Sequence, residues 1–257
     1  MIKPLLLAAA ALVLAAGPAA AQQTPRPQPA RPAAPDLARP GSAFAPRENP
    51  GSWASTIRRS ERGHVIGNPD APATLTEFIS YTCPHCAAFA ARGEPPLEIV
   101  LIAPGKLSLE VRTQIHSGLD ITAALLAGCG DPAGFKARHQ ALMLNQAVWL
   151  GKARAAPASQ QAIWERADKA GRMNAASALG LADLVAAARG QSRAELDACL
   201  ANDAAARRLI AIDEADTAEF AVRGTPSFAL DGKLLADVYG WESLYPVLAA
   251  RFAPPAN

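Results

Sequence analysis

The sequence predicts an α/β protein, a small sheet domain split by an all-helical insertion. Three features predict it. Strand and helix patterns alternate as βαβ from Gly63 to Gln114. Helical signals alone then run from Ser117 to about Ala221. Strand chemistry returns at Ser227 and closes as ββα. That order fits a helical block inserted into a sheet domain, with residues 51–116 and 222–257 forming the sheet part and 117–221 the insertion.

The chain begins with an export signal pattern. Lys3 supplies a basic start, Leu5 to Ala16 an apolar run, and Ala19-Ala20-Ala21 a small-residue cleavage site after the helix breakers Gly17 and Pro18. The run is too short to span a bilayer comfortably, so residues 1–21 read as a signal peptide and Gln22 as the first mature residue. Periplasmic localisation follows as an expectation. Residues 22–50 are rich in Pro, Ala, Arg and Gln. Proline this dense blocks both helix and ladder, so the segment reads as a solvated linker.

Order is expected from about Ser52, with Trp53 and Ile57 laying a short helix on the domain. His64 to Gly67 reads as a strand, stopped by Asn68-Pro69-Asp70-Ala71-Pro72. Ala73 to Ser80 reads as a second strand, buried on both faces if it is central: Leu75, Glu77 and Ile79 on one, Thr76, Phe78 and Ser80 on the other. A helix opens at Pro84, breaks around Gly93 to Pro96, and resumes through Leu97 to Ile102. Pro104-Gly105 turns the chain into a third strand, Leu107 to Gln114. In the helical block, Asp131-Pro132 pairs a cap residue with proline at the first helical position. Ser192-Arg193-Ala194-Glu195 is a capping box. Ser227 to Leu230, the Asp231-Gly232 turn and Lys233 to Val238 read as a hairpin, and Trp241 to Arg251 as the last helix.

Composition bounds the function. Half of the 257 residues are apolar and 19% are charged, which excludes a chain disordered throughout. A net charge of +2 gives no electrostatic argument for binding nucleic acid. Four cysteines are too few for a disulfide-stapled miniprotein, but the even count suits an oxidising compartment.

Chemistry concentrates at Cys83-Pro84-His85-Cys86, where the second strand hands over to a helix. Cys83 falls at the helix N-terminus, where unpaired N–H groups and the helix dipole favour an anion. The thiolate is the attacking species, so Cys83 is the candidate nucleophile. Cys86 lies one turn on, within disulfide reach. His85 could add a hydrogen bond or charge, although a histidine in a first helical turn commonly just faces solvent. Glu77, six residues before Cys83, is an acid on an apolar face. It reads as a proton acceptor for Cys86, or else as an edge-strand acid reaching solvent. Arg223-Gly224-Thr225-Pro226 stands directly before a strand, and a cis Thr225–Pro226 bond would present the Thr225 backbone beside Cys83. Cys129 and Cys199 read as a structural disulfide, the alternative being two buried thiols. His64, His116 and His139 share no spacing with one another or with the cysteines, and read as solvated or core residues.

With these residues the chain resembles the thioredoxin superfamily, and within it the exported DsbA-like thiol oxidoreductases. The likeness rests on Glu77, the Cys83–Cys86 motif, Gly224-Thr225-Pro226 and the helical block between them, over Gly63 to Phe252. It implies a thioredoxin-like fold with a helical insertion. Cys83 would be the nucleophile, Cys86 the resolving thiol, His85 a modulator and cis-Pro226, with Thr225, a substrate-binding element. Dithiol exchange of this kind calls for no cofactor and no metal. The implied partners are reduced or unfolded exported polypeptides and a membrane redox partner, either DsbB-like or a reducing donor. Thr225 departs from the valine many such oxidases carry before this proline. It is more like the isomerase and BdbD/ScsC-like branches, so the direction of electron flow stays open between oxidase and isomerase or reductase. A Cu(I) metallochaperone using Cys83 and Cys86, with or without His85, is the reading from a different class.

Overall fold

The structure, a computed structural model, describes residues 52–253. The expected signal peptide and linker lie outside the described residues. Among these, strands β1 (Ile57–Arg59), β2 (His64–Ile66), β3 (Thr74–Ile79), β4 (Ser108–Thr113), β5 (Ser227–Leu230) and β6 (Lys233–Leu234) form one sheet in the order β1-β2-β4-β3-β5-β6. β3 and β4 are parallel, and all other neighbours are antiparallel.

A parallel pair needs a crossover. Here it is made by α1 (Pro84–Arg92), α2 (Glu94–Leu97) and a π-helical turn over Glu98–Ile102. The expected helix break narrows to Gly93. Pro95 and Pro96 sit in the first turn of α2, where a missing N–H costs nothing.

Two other sequence expectations change. Trp53–Ser55 forms only a 3-10 turn, and Ile57 opens edge strand β1, paired with Ile66. The hairpin depends on Gly63, because a Cβ there would stand 2.1 Å from the Val111 carbonyl oxygen. Its N–H also takes the Ser60 hydroxyl as acceptor at 2.8 Å. The strand expected over Lys233 to Val238 stops at Leu234. Asp237 has φ of 60°, a left-handed conformation that cannot continue a ladder.

Between β4 and β5 the chain is helical: α3 (Gly118–Ala127), α4 (Phe135–Leu144), α5 (Gln146–Ala155), α6 (Ala158–Glu165), α7 (Lys169–Ala178), α8 (Leu181–Arg189), α9 (Arg193–Leu200) and α10 (Asp203–Phe220). Asp131 caps a single 3-10 turn before α4, accepting from the Ala133 N–H at 3.0 Å. The Ser192–Glu195 capping box is formed at the start of α9. One hydrophobic core runs from the sheet into this block, joining Leu75, Ile79 and Phe228 to Leu126, Leu142, Trp149 and Leu196. A disulfide links Cys129 to Cys199 across 70 positions. Helix α11 (Trp241–Arg251) closes the chain. No helix among the described residues is long and apolar enough to cross a membrane.

The two faces of the sheet differ. Glu77 pairs in register with Val111 and Phe228, so these three share a face, and Phe228 packs on Phe89 of α1 with ring centroids 4.8 Å apart. Phe78 lies on the opposite face against Phe220 of α10, with Arg112 above both rings.

Candidate active site

Cys83 is the N-cap of α1 and Pro84 follows at its first helical position. Both cysteines are free thiols, Cys83 partly exposed and Cys86 buried. The Cys83 thiol donates to the Thr225 carbonyl oxygen at 3.1 Å, across a sequence gap of 142 residues. The Thr225–Pro226 bond is cis. The sheet thus brings the redox motif and the Gly224-Thr225-Pro226 turn together, because β3 and β5 are direct neighbours.

The two sulfurs are tuned in opposite directions. The Cys83 thiol is lowered from 9.0 to about 4, chiefly because the Cys86 S–H donates to its thiolate. The Thr225 side chain and the backbone N–H groups of Cys86 and His85 add to the effect, while burial opposes it. Burial pushes the Cys86 thiol well up, as does its bond to Cys83. The His85 ring itself is exposed. What His85 gives the thiolate is its backbone N–H, a property of the helix N-terminus rather than of the imidazole expected to supply it.

Glu77 is buried, and β3 is interior to the sheet, which removes the edge-strand reading of this acid. Its Oε2 has no hydrogen-bond partner among the described residues. Burial, and then the charge of Glu94, raise its pKa well above 4.5. In turn its charge raises the Cys86 pKa.

Four further residues build the site, and the sequence reading missed their roles. Asp120 of α3, fully buried, accepts from the Ser80 hydroxyl at 2.7 Å and from the Thr82 N–H and hydroxyl, both at 3.0 Å. Its second oxygen also accepts from the His116 and Ser117 N–H groups at 3.1 and 2.9 Å. The Ser117-x-x-Asp120 spacing is a capping-box signal that could have located it. Gln146 of α5 donates to the Tyr81 and Cys83 carbonyls at 2.7 and 2.9 Å. Nothing in sequence spacing announces that contact. Glu94 and His139 pair at 3.0 Å, and His139 reaches the Tyr81 hydroxyl at 3.1 Å. The helical block therefore anchors both sides of the loop that carries Cys83.

The Thr225 hydroxyl is buried without a hydrogen-bond partner among the described residues in this thiol form, yet the Thr225 side chain lowers the Cys83 pKa. It is placed to donate once the thiolate forms, which valine cannot do. Thr225→Val raises the Cys83 pKa by about one unit and makes the disulfide less oxidising by about 30 mV. Thiolate absorbance against pH measures the first effect. An unchanged Cys83 titration would show that this hydroxyl does not reach the sulfur.

Comparison with known proteins agrees with this geometry. The thioredoxin family model matches residues 59–249. A protein-disulfide isomerase from Novosphingobium aromaticivorans is 39% identical, with 74% of this chain and 97% of that one covered and a TM-score of 0.70. BdbD from Bacillus subtilis is 18% identical with a TM-score of 0.54, covering 78% of this chain and 97% of its own, a likeness of fold alone. A Rickettsia conorii protein named for protein-disulfide oxidoreductase activity is 33% identical over 95 residues, 37% of this chain. The match spans about a third (34%) of that relative's length. On the family match and the folded arrangement together, the chain belongs to the thioredoxin family and has the DsbA-like thiol–disulfide oxidoreductase fold.

Proposed function

We propose that the protein is an exported thiol:disulfide oxidoreductase that inserts disulfides into other exported polypeptides. The observation that carries this reading is the asymmetry of the two sulfurs, one a partly exposed thiolate former and the other a buried thiol. From the oxidised form, a substrate thiolate attacks Cys83, the accessible sulfur. The Cys83–Cys86 bond breaks and Cys86 leaves, taking a proton from Glu77. A second substrate thiolate then attacks the substrate sulfur of the mixed disulfide and expels Cys83 as a thiolate. Two substrate thiols become one disulfide, and two electrons remain on the Cys83/Cys86 pair. A membrane partner of DsbB type would take those electrons and restore the disulfide.

The size of the thiol shift favours this direction. At pH 7 the interval that counts runs from 7 down to about 4, which is about 4 kcal/mol in favour of the reduced form. Cys83 is partly exposed, so screening reduces this to about 2–4 kcal/mol. That makes the couple about 40–90 mV more oxidising than an unperturbed dithiol.

The second reading is an isomerase or reductase kept reduced by a membrane donor. Thr225 before the cis-proline favours it, as does the likeness to the Novosphingobium protein-disulfide isomerase. Equilibration with glutathione separates the two. A potential near about −120 mV supports the oxidase, and one near about −270 mV excludes it.

The pH dependence of the potential checks the thiol assignment. Above the Cys83 pKa, reduction takes up one proton, for Cys86, and the potential falls about 30 mV per pH unit. Below it both sulfurs take up protons and the slope is about 59 mV per unit. The break is expected at pH about 4. A single slope through that region would mean Cys83 is not a depressed thiol.

A further inference from the structure

Residues 221–226 join α10 to β5 and carry the Thr225 carbonyl that accepts from Cys83 at 3.1 Å. The segment has few bonds of its own. Val222, Arg223 and Gly224 donate no hydrogen bond among the described residues. Its position is therefore set at its two ends, by Phe220 and Ser227. Both ends meet at Phe78, which is fully buried and lies five positions before Cys83. Phe78 pairs in register with Ser227, and its ring centroid is 5.1 Å from that of Phe220. The Ser227 hydroxyl then closes the turn by donating to the Gly224 carbonyl at 2.6 Å.

Arg112 of β4 pairs in register with Phe78, and its guanidinium lies 5.9 Å from the Phe78 ring and 5.6 Å from the Phe220 ring. The same group donates to Asp216 Oδ1 on α10 and to Glu110 Oε2, both at 2.8 Å. Asp216 is fully buried, about one helical turn before Phe220, and accepts a second bond on that oxygen from Arg62 at 2.9 Å. The last turn of α10 is thus held by a carboxylate and by a ring, and Arg112 reaches both.

Stability does not account for this arrangement. Arg112 Nε and Asp216 Oδ2 are buried without a hydrogen-bond partner among the described residues. A buried ion pair with unmet atoms recovers its desolvation cost poorly, and apolar side chains of similar volume hold two layers together at least as well. What the pair adds is direction. Hydrogen bonds from a planar guanidinium fix α10 at one axial position on β4, whereas apolar surfaces can slide.

We propose that Arg112, bonded to Asp216 and laid over Phe78 and Phe220, is a positioning residue for the redox site that sets residues 221–226 against Cys83. The proposal rests on the reading of Thr225 and cis-Pro226 as the element that meets substrate beside Cys83. The hydrogen bonds of Arg112 go to Asp216 and Glu110 and none to the site itself, so it acts through two paths that meet at the sulfur. One runs along β3 from Phe78 to Cys83. The other runs through the end of α10, from Asp216 and Phe220 to Thr225. Without the clamp the last turn of α10 shifts, and the Thr225 carbonyl and hydroxyl move with it.

The test compares the unaltered full chain with Arg112→Met and with the double variant Arg112→Met/Asp216→Leu. Methionine fills the space of the arginine without a fixed partner. Urea denaturation follows stability, thiolate absorbance follows the Cys83 midpoint, and oxidation of a two-cysteine peptide gives KM and kcat. Arg112→Met leaves Asp216 with the partly exposed Arg62 alone, so its urea midpoint should fall. The apolar double variant should regain that midpoint. Its Cys83 midpoint should nevertheless stay about half a pH unit high, because the Thr225 side chain helps to lower it. Its peptide KM should stay about fivefold high, with kcat within about twofold of the unaltered protein. A merely structural arginine gives the opposite result, with the Cys83 midpoint and KM returning together with stability. Either readout at its unaltered value in the double variant overturns the proposal. Where the double variant does not fold, Arg112→Lys decides. It keeps a charge beside Asp216 but cannot bond both carboxylates while lying flat over two rings, so both readouts should rise, and no rise overturns the proposal. Thr225→Val separates the proposal from the reading beneath it. If that variant raises the Cys83 midpoint and the Arg112 variants do not, the clamp fails and the site stands. If Thr225→Val itself leaves the midpoint unmoved, the reading of that residue fails first, and the clamp with it.

Discussion

Cys83→Ser abolishes dithiol oxidation, whereas Cys86→Ser leaves a protein that accumulates mixed disulfides through Cys83. The two outcomes follow from position. Cys83 caps α1, is partly exposed, and ionises at about 4, so at neutral pH it is the sulfur that meets substrate and the one that leaves readily. A serine hydroxyl there has neither property, and the buried Cys86 cannot replace it, since its thiol is pushed well up and its sulfur has no access. In Cys86→Ser the nucleophile survives and its internal release route is gone. The introduced serine hydroxyl can still donate to the Cys83 thiolate, so the largest contribution to its depressed pKa is kept in that variant and the trap works at neutral pH. Mass spectrometry of adducts with single-cysteine peptides checks the trap, and an insulin-free peptide oxidation assay checks the loss. Turnover retained in Cys83→Ser would sink the assignment of the nucleophile.

The sequence made the redox motif legible because its signals are local. A helix N-terminus, a proline at the first helical position and a second cysteine one turn on are all decided within four residues. The hairpin at Asp231-Gly232 was legible for the same reason, with φ of 49° and 78° at the two turn residues. Strand β1 was hidden because Ile57-Arg58-Arg59 is short, charged and at an edge, and its register depends on a glycine fitted against the β4 backbone. The supports of the site were hidden for a different reason. Asp120, Gln146 and His139 reach the redox loop from helices 38 to 65 positions away, and only the packing of the insertion brings them there. His139 illustrates the limit: the sequence leaves it between a solvated and a core histidine, and only the packing of α4 shows it buried beside Tyr81 and Glu94.

Glu77→Leu should make the protein more stable and a poorer catalyst at once. A buried carboxyl with an unpartnered oxygen is a standing cost, and replacing it with an apolar side chain of similar volume removes a penalty of about 1–3 kcal/mol. Its neighbours in register, Val111 and Phe228, and those along the strand, Leu75 and Ile79, are apolar, so a leucine meets compatible surfaces. The gain must depend on pH with a definite sign. Glu77 is raised in the folded state above its unfolded value of 4.5, so the folded protein holds a proton that the unfolded chain has lost. Below pH 4.5 both states are protonated and the ionisation penalty is absent. As pH rises above that value the unaltered protein loses stability relative to Glu77→Leu, and the difference stops growing only once pH passes the raised folded pKa. Urea denaturation of both proteins at several pH values measures it. On the catalytic side, the variant offers Cys86 no proton acceptor, and release from a Cys83 mixed disulfide should slow by about a hundredfold, the lower end of what a positioned acid–base group contributes. Greater stability with undiminished release would leave Glu77 as a buried acid without a part in the chemistry. Lower stability at neutral pH would instead mean that the carboxyl is satisfied by a group on the Cys86 side of the core, and that its protonated form is held by more than burial and the charge of Glu94.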